Sequence, residues 1–162
     1  MFTMASINDW FENLQQNQFN GINNVRINYG VMLHDGPSKA IIISNGRVES
    51  YLKYAEIARD LFSQGYSIYM LDHRGQGLSG RMTQDTHLGH VESFDHYVDD
   101  LEKFFNEIVR EGNHKQHILI GHSMGGAIAT RYIETRAHLV DKLILSSPMF
   151  GIVLPLPAPV IS

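Results

Sequence analysis

Gly121-His122-Ser123-Met124-Gly125-Gly126 holds the residues best equipped for chemistry in this chain. It contains G-x-S-x-G, the spacing of a sharp elbow that exposes a serine hydroxyl between a strand and a helix. The flanks fit that frame, because His117-Ile118-Leu119-Ile120 reads as a short buried strand and Ala127 to Ile133 as a helix. Glycines on either side let the backbone close around the serine. Ser123 is therefore the candidate nucleophile. A serine hydroxyl attacks only when a base takes its proton and the resulting oxyanion is stabilised. The backbone N–H of Met124, next after the nucleophile, is one expected oxyanion donor. The other should come from the loop after the first parallel strand, Ser44-Asn45-Gly46-Arg47, with the Arg47 N–H as the best candidate. The plainer reading of Asn45-Gly46 is a simple turn.

A base is harder to find. Partners of such an elbow follow it in the order serine, acid, histidine. After Ser123 the chain offers Glu134, His138 and Asp141, and no later acid or histidine. His138 precedes Asp141, and both fall before the strand around Leu143, at the sheet end opposite Ser123. His122 adjoins the serine but should point away from it. His73, His87 and His90 fall in a loop on the correct side, yet recruiting one of them would break the usual order.

Two other patterns suggest chemistry less well. Gly75-Gln76-Gly77-Leu78-Ser79-Gly80 matches G-x-G-x-x-G, but Arg81 to Gly89 lacks the helical period that a pyrophosphate site requires. Its glycines read as loop-shaping. His87-Leu88-Gly89-His90 makes no complete metal site, so no metal and no cofactor is expected.

The elements needed to position Ser123 are legible on both sides of it. Val25, Ile27, Tyr29 and Val31 alternate with polar residues and glycine, as in a half-buried antiparallel strand near a sheet edge. Ala40-Ile41-Ile42-Ile43 is apolar on both faces, as a central parallel strand should be. A helix follows, through Tyr51, Tyr54, Ile57 and Leu61 with Ser50 as its cap, and then a strand over Tyr66 to Leu71. A polar, glycine-rich stretch runs from Asp72 to about Glu92. Phe94, Val98, Leu101, Phe104 or Phe105, and Ile108 then trace an amphipathic helix capped by Ser93, and Leu143-Ile144-Leu145 gives a further strand after the elbow helix. Trp10, Phe11 and Leu14 hint at a short N-terminal helix. The alternation implies an α/β fold, a mostly parallel sheet with helices on both faces, over residues 1–150. Sites in such sheets lie beyond the carboxyl ends of the strands, where Ser123 falls. Residues 151–162 are apolar and broken by proline, reading as a flap or as the start of a cap region.

Composition narrows the classes. With 43% hydrophobic and 19% charged residues the chain is globular rather than disordered. A net charge of −4 argues against a nucleic-acid partner. The absence of cysteine removes disulfides and thiolate chemistry. The polar N-terminus is unlike a signal peptide, and no apolar run reaches the ~20 residues of a membrane span. The expected location is cytoplasmic, with any membrane contact peripheral at the inner membrane.

Several stretches together resemble the α/β-hydrolases of the monoacylglycerol lipase branch, and most closely the bacterial inner-membrane lysophospholipases. They are Asn45 to Tyr54, Asp72 to Arg81, His87 to Val91, the elbow, and Ser147-Pro148-Met149-Phe150-Gly151. The resemblance runs from about Val25 to Gly151. It implies hydrolysis of a fatty acyl ester in a lysophospholipid or monoacylglycerol through an acyl-enzyme on Ser123, without a cofactor. Family members continue into a cap domain and further strands bearing the triad acid and histidine. The expectation is thus a hydrolase domain truncated before its cap and C-terminal strands, with little activity alone. The alternatives are a hydrolase for another ester or thioester, and a non-catalytic module that binds an apolar ligand or a partner.

Overall fold

The computed structural model describes Trp10 and residues 13–36, 38–85 and 89–151. Phe11, His87 and the apolar tail from Ile152 to Ser162 lie outside the described residues. Six strands form one sheet: β1 (Gln15–Asn20), β2 (Arg26–Met32), β3 (Lys39–Ser44), β4 (Tyr66–Leu71), β5 (Gln116–His122) and β6 (Lys142–Ser146). Their spatial order is β1-β2-β4-β3-β5-β6. Strands β4, β3, β5 and β6 are parallel neighbours, while β2 runs antiparallel to both β4 and β1.

The side-chain patterns explain the layers. In β3 both faces are buried, with Ile42 joining one apolar cluster and Ile41 and Ile43 the other. That double burial is what a run of β-branched residues in a central parallel strand is suited to. Helix α1 (Ala55–Ser63), entered through a 3-10 turn at Tyr51–Tyr54, covers the face of Ile41, Ile43, Ile68 and Met70. Helices α2 (Asp95–Phe104) and α3 (Met124–Thr135) cover the face of Ile42, Leu71 and Leu119. Helices therefore lie on both faces of a mostly parallel sheet, as the sequence predicts. Ser50 caps the 3-10 turn rather than α1 itself, its hydroxyl accepting from the Leu52 N–H at 3.4 Å. The Ser93 hydroxyl accepts from the Asp95 N–H at 3.3 Å, one residue before Phe94, which stands at the cap of α2 without a side-chain cap bond.

Three features differ from the sequence reading or add to it. Strand β1 pairs along its whole length with β2, yet of Gln-Gln-Asn-Gln-Phe-Asn only Phe19 is buried. The helix expected to run through Ile108 instead changes at Phe105 into a π turn (Phe105–Val109) and a 3-10 turn (Arg110–Gly112). The polar stretch after β4 is not a solvated loop: Asp72, His73, Arg74, Gln76 and Ser79 are all buried. Arg74 reaches Asp100 of α2 through two bonds, Nε to Oδ2 at 2.7 Å and Nη2 to Oδ1 at 2.8 Å. Asp100 Oδ1 also accepts the Ile22 N–H at 2.8 Å, so one buried ion pair ties the loop, α2 and the β1–β2 turn together.

The registers bring the carboxyl ends of the parallel strands to one edge, with Ser44 opposite both Leu71 and Gly121, and His122 opposite Ser146. Ser123 therefore leaves the sheet beside the loop that follows Ser44. Among the described residues no helix is long and apolar enough to cross a membrane.

Candidate active site

Ser123 stands between the last residue of β5 and the first of α3, with φ 51° and ψ −119°. A positive φ is costly for a residue with a Cβ, on the order of 1–3 kcal/mol, and persists only where its surroundings enforce it. Here they do. The Ser123 N–H donates to Ser146 O at 3.0 Å, and Ser123 O accepts from the Gly126 N–H at 3.0 Å and the Met149 N–H at 2.9 Å. The flanking glycines serve close approach: a Cβ on Gly121 would lie 2.6 Å from Gly126 Cα, and one on Gly125 only 2.1 Å from Ser44 O. Among the described residues the Ser123 hydroxyl has no hydrogen-bond partner.

The loop after β3 presses against this elbow. A Cβ on Gly46 would meet Ser123 Cβ at 3.3 Å. Two side chains hold the loop. The Glu49 carboxylate accepts the Gly46 N–H at 2.8 Å and the Tyr54 hydroxyl at 2.7 Å, and pairs with Lys53. Burial opposes its ionisation, but the bonds from Lys53, Tyr54 and Gly46 outweigh that and hold its pKa at about 2. Gln76 fixes the loop from the opposite side. Its Nε2 donates to Gly46 O at 2.7 Å and Glu49 O at 3.1 Å, and its Oε1 accepts the Val48 N–H at 3.0 Å. Val48 itself is at φ 59°. With the N–H groups of Gly46 and Val48 thus committed, that of Arg47 between them is given to no protein acceptor among the described residues, and neither is that of Met124.

Sequence reasoning did not assign roles to Glu49 and Gln76. Gln76 sits inside the G-x-G-x-x-G pattern, whose glycines do shape the loop: Gly77 has φ 53°, and a Cβ there would lie 2.1 Å from Asp72 Oδ2. Asp72 is the buried post of that turn. It accepts from the N–H groups of Tyr51 at 2.6 Å and Leu78 at 2.8 Å, while burial pushes its pKa up.

No described histidine is bonded to Ser123. His73 is fully buried, with Nε2 2.8 Å from Ser44 Oγ, and burial lowers its pKa to about 3, so the ring is neutral. His122 lies on the α1 side, its Nε2 4.0 Å from Glu49 Oε1. Asp141 accepts the His117 N–H at 2.7 Å, at the start of β5 and so at the far end of the sheet from Ser123. Among the described residues no group of three or more acids and histidines could hold a metal.

The fold is that of the α/β hydrolases. An α/β hydrolase from Novosphingobium aromaticivorans matches with a TM-score of 0.65 at 16% identity, over 82% of this chain and 44% of that one. The chain belongs to the family described as Serine aminopeptidase, S33, whose model matches residues 35–162. It is 40% identical to lysophospholipase L2 of Escherichia coli strain K12 over 157 residues, which are 97% of this chain and 46% of that protein. It is 28% identical to the monoacylglycerol lipase of Mycolicibacterium smegmatis, over 82% of this chain and 46% of the other. The chain thus spans about half the length of the curated relatives it matches.

Proposed function

We propose that the intact protein is a serine esterase that cleaves fatty acyl esters of lysophospholipids or monoacylglycerols. The observation that carries this reading is Ser123 itself, held at a positive φ beyond the end of β5 with its hydroxyl uncommitted. Ser123 Oγ attacks the ester carbonyl while a base removes its proton. The carbonyl oxygen gains negative charge, which the free N–H groups of Met124 and Arg47 stabilise. Collapse expels the glycerol-side alcohol, which takes the proton from the base, and water then releases the fatty acid from the acyl-enzyme. The mechanism needs no metal or organic cofactor. The base and the acid that orients it come from residues outside the described ones, in keeping with relatives of about twice this length. The names of those relatives, lysophospholipase L2 and monoacylglycerol lipase, support the substrate classes. Such substrates reside at membrane surfaces, so contact with the inner membrane would be peripheral.

Replacing Ser123→Ala in the intact protein should reduce hydrolysis of both ester classes by at least about a thousandfold, with an unchanged unfolding midpoint. Persisting turnover would overturn the assignment. A second reading, a binding module of the same fold, is favoured by the absence, among the described residues, of a base bonded to Ser123. It predicts ligand binding that Ser123→Ala leaves intact, and no turnover before or after the change.

A further inference from the structure

Beside the loop that presses on Ser123 lies a cavity of about 260 Å³ whose walls carry three arginines. Their states differ. Arg74 is neutralised by Asp100. The Arg81 guanidinium donates to Ser79 O at 2.5 Å and Gly77 O at 3.0 Å, which fixes its position on the wall. Arg47 is exposed and, among the described residues, enters no ion pair or hydrogen bond through its side chain. Tyr97 completes the wall, and its hydroxyl has no hydrogen-bond partner among the described residues. Burial raises the Tyr97 pKa, so the phenol keeps its proton and can donate. The carboxylate on this wall, Glu49, is already engaged by Lys53, Tyr54 and the Gly46 N–H. Arg47 and Tyr97 therefore offer uncommitted donors to the cavity, and Arg47 a positive charge, which together suit an oxyanion.

Its position gives that selectivity a purpose. The Gly46 backbone packs so close to the elbow that a Cβ built there would lie 3.3 Å from Ser123 Cβ, and the next residue, Arg47, lines the cavity. The cavity thus begins one residue along the chain from the glycine that packs against the elbow. We propose that this cavity is a phosphate subsite, in which Arg47, with Tyr97, receives the phosphodiester of a lysophospholipid whose acyl ester lies at Ser123. The inference rests on the esterase reading and decides between its two substrate classes. A neutral monoacylglycerol has nothing to give these donors, whereas a phosphodiester offers the guanidinium two oxygens at once.

The test compares hexanoyl lysophosphatidylglycerol with monohexanoylglycerol, both below micelle-forming concentrations, on the intact protein. The quantity read is the ratio of kcat/KM for the phosphorylated substrate to that for the neutral one. Arg47→Gln should lower this ratio by about tenfold to a hundredfold, mostly through KM, as expected for loss of a charge-assisted hydrogen bond. Arg47→Lys should recover part of it. An equal loss on both substrates would mean that Arg47 acts only through the shape of its loop, and that result, like an unchanged ratio, overturns the subsite. If the unaltered protein hydrolyses neither substrate, the esterase reading fails by itself. The subsite is then judged by calorimetric binding of hexanoyl lysophosphatidylglycerol. Binding that Arg47→Gln weakens by the same factor upholds it, and binding that is absent or insensitive to Arg47→Gln overturns it.

Discussion

Glu49 shows how a single side chain sets the conformation of the loop at the site. Its carboxylate gathers a backbone N–H, a phenol and an ammonium, and its reward for being ionised appears as a pKa of about 2 against an ordinary 4.5. A folded-state value below the unfolded one means that the unfolded chain binds the proton more readily. The stabilisation is therefore complete above pH 4.5 and is lost as pH falls toward about 2. Thermal unfolding followed across that window should show a midpoint that declines steeply in the unaltered protein. In Glu49→Gln the decline should be shallower, starting from a lower midpoint at neutral pH, because the amide keeps some hydrogen bonds but not the charge. Parallel curves would mean that other carboxylates govern the acid limb. His73 contributes over a higher range. With a folded pKa of about 3 against 6.5, it withdraws stability as pH falls from 6.5 to about 3. Glu49→Gln leaves that part of the curve in place.

At the scale of elements, the fit between α3 and the end of β3 depends on Gly125. A Cβ there would lie 2.1 Å from Ser44 O and 2.5 Å from Asn45 O, and neither backbone oxygen can swing aside as a side-chain tip could. Gly125→Ala should cost about 1–3 kcal/mol, the usual range for overpacking, read as a lower urea midpoint. The esterase activity proposed for the intact protein should fall further than stability, because the displaced parts are the elbow and the loop bearing Arg47. Gly151→Ala, where a Cβ meets nothing within 4 Å, is the control and should leave the midpoint within about 0.5 kcal/mol. The strand–elbow–helix unit was legible in the sequence because its signals are local: an apolar run, glycines at fixed spacing, then a helical period. The same holds for Ile41, Ile42 and Ile43, whose side chains need only be apolar on both faces. Strand β1 carries no such signal, since its pairing comes from backbone bonds to β2 while its side chains are mostly polar and exposed. The π turn at Phe105 escaped for a related reason. It brings Phe105 and Val109 both to full burial without disturbing the apolar content that marks the segment as helical. The joint hold of Glu49 and Gln76 on one loop was equally hidden, because Gln76 meets that loop only through folding and no spacing rule connects them.

The two edges of the sheet are built for different neighbours. On β1 the outward-lying residues are Gln15, Gln16, Asn17 and Gln18, all exposed and polar, which makes that edge a poor template for association. On β6 the exposed residues include Ile144, at 50% exposure, and Leu145, at 37%. Parallel strands are ordinarily buried on both faces, so an apolar, half-exposed parallel strand at an edge is a surface that calls for cover. Ile57 of α1, 47% exposed, and the partly buried Ile120 extend the same apolar region over the α1 face. The 162-residue chain prepared by itself should therefore associate as its concentration rises, and sedimentation velocity would read this as a growing mean mass. Ile144→Lys should suppress the growth by placing a charge on the strand, whereas Gln16→Lys on the opposite edge should leave it unchanged. If the chain stays monomeric at every concentration, the exposed β6 edge does not drive association and the prediction fails. That edge adjoins the elbow, since Ser146 of β6 accepts the Ser123 N–H, so whatever covers β6 also bears on the placement of Ser123.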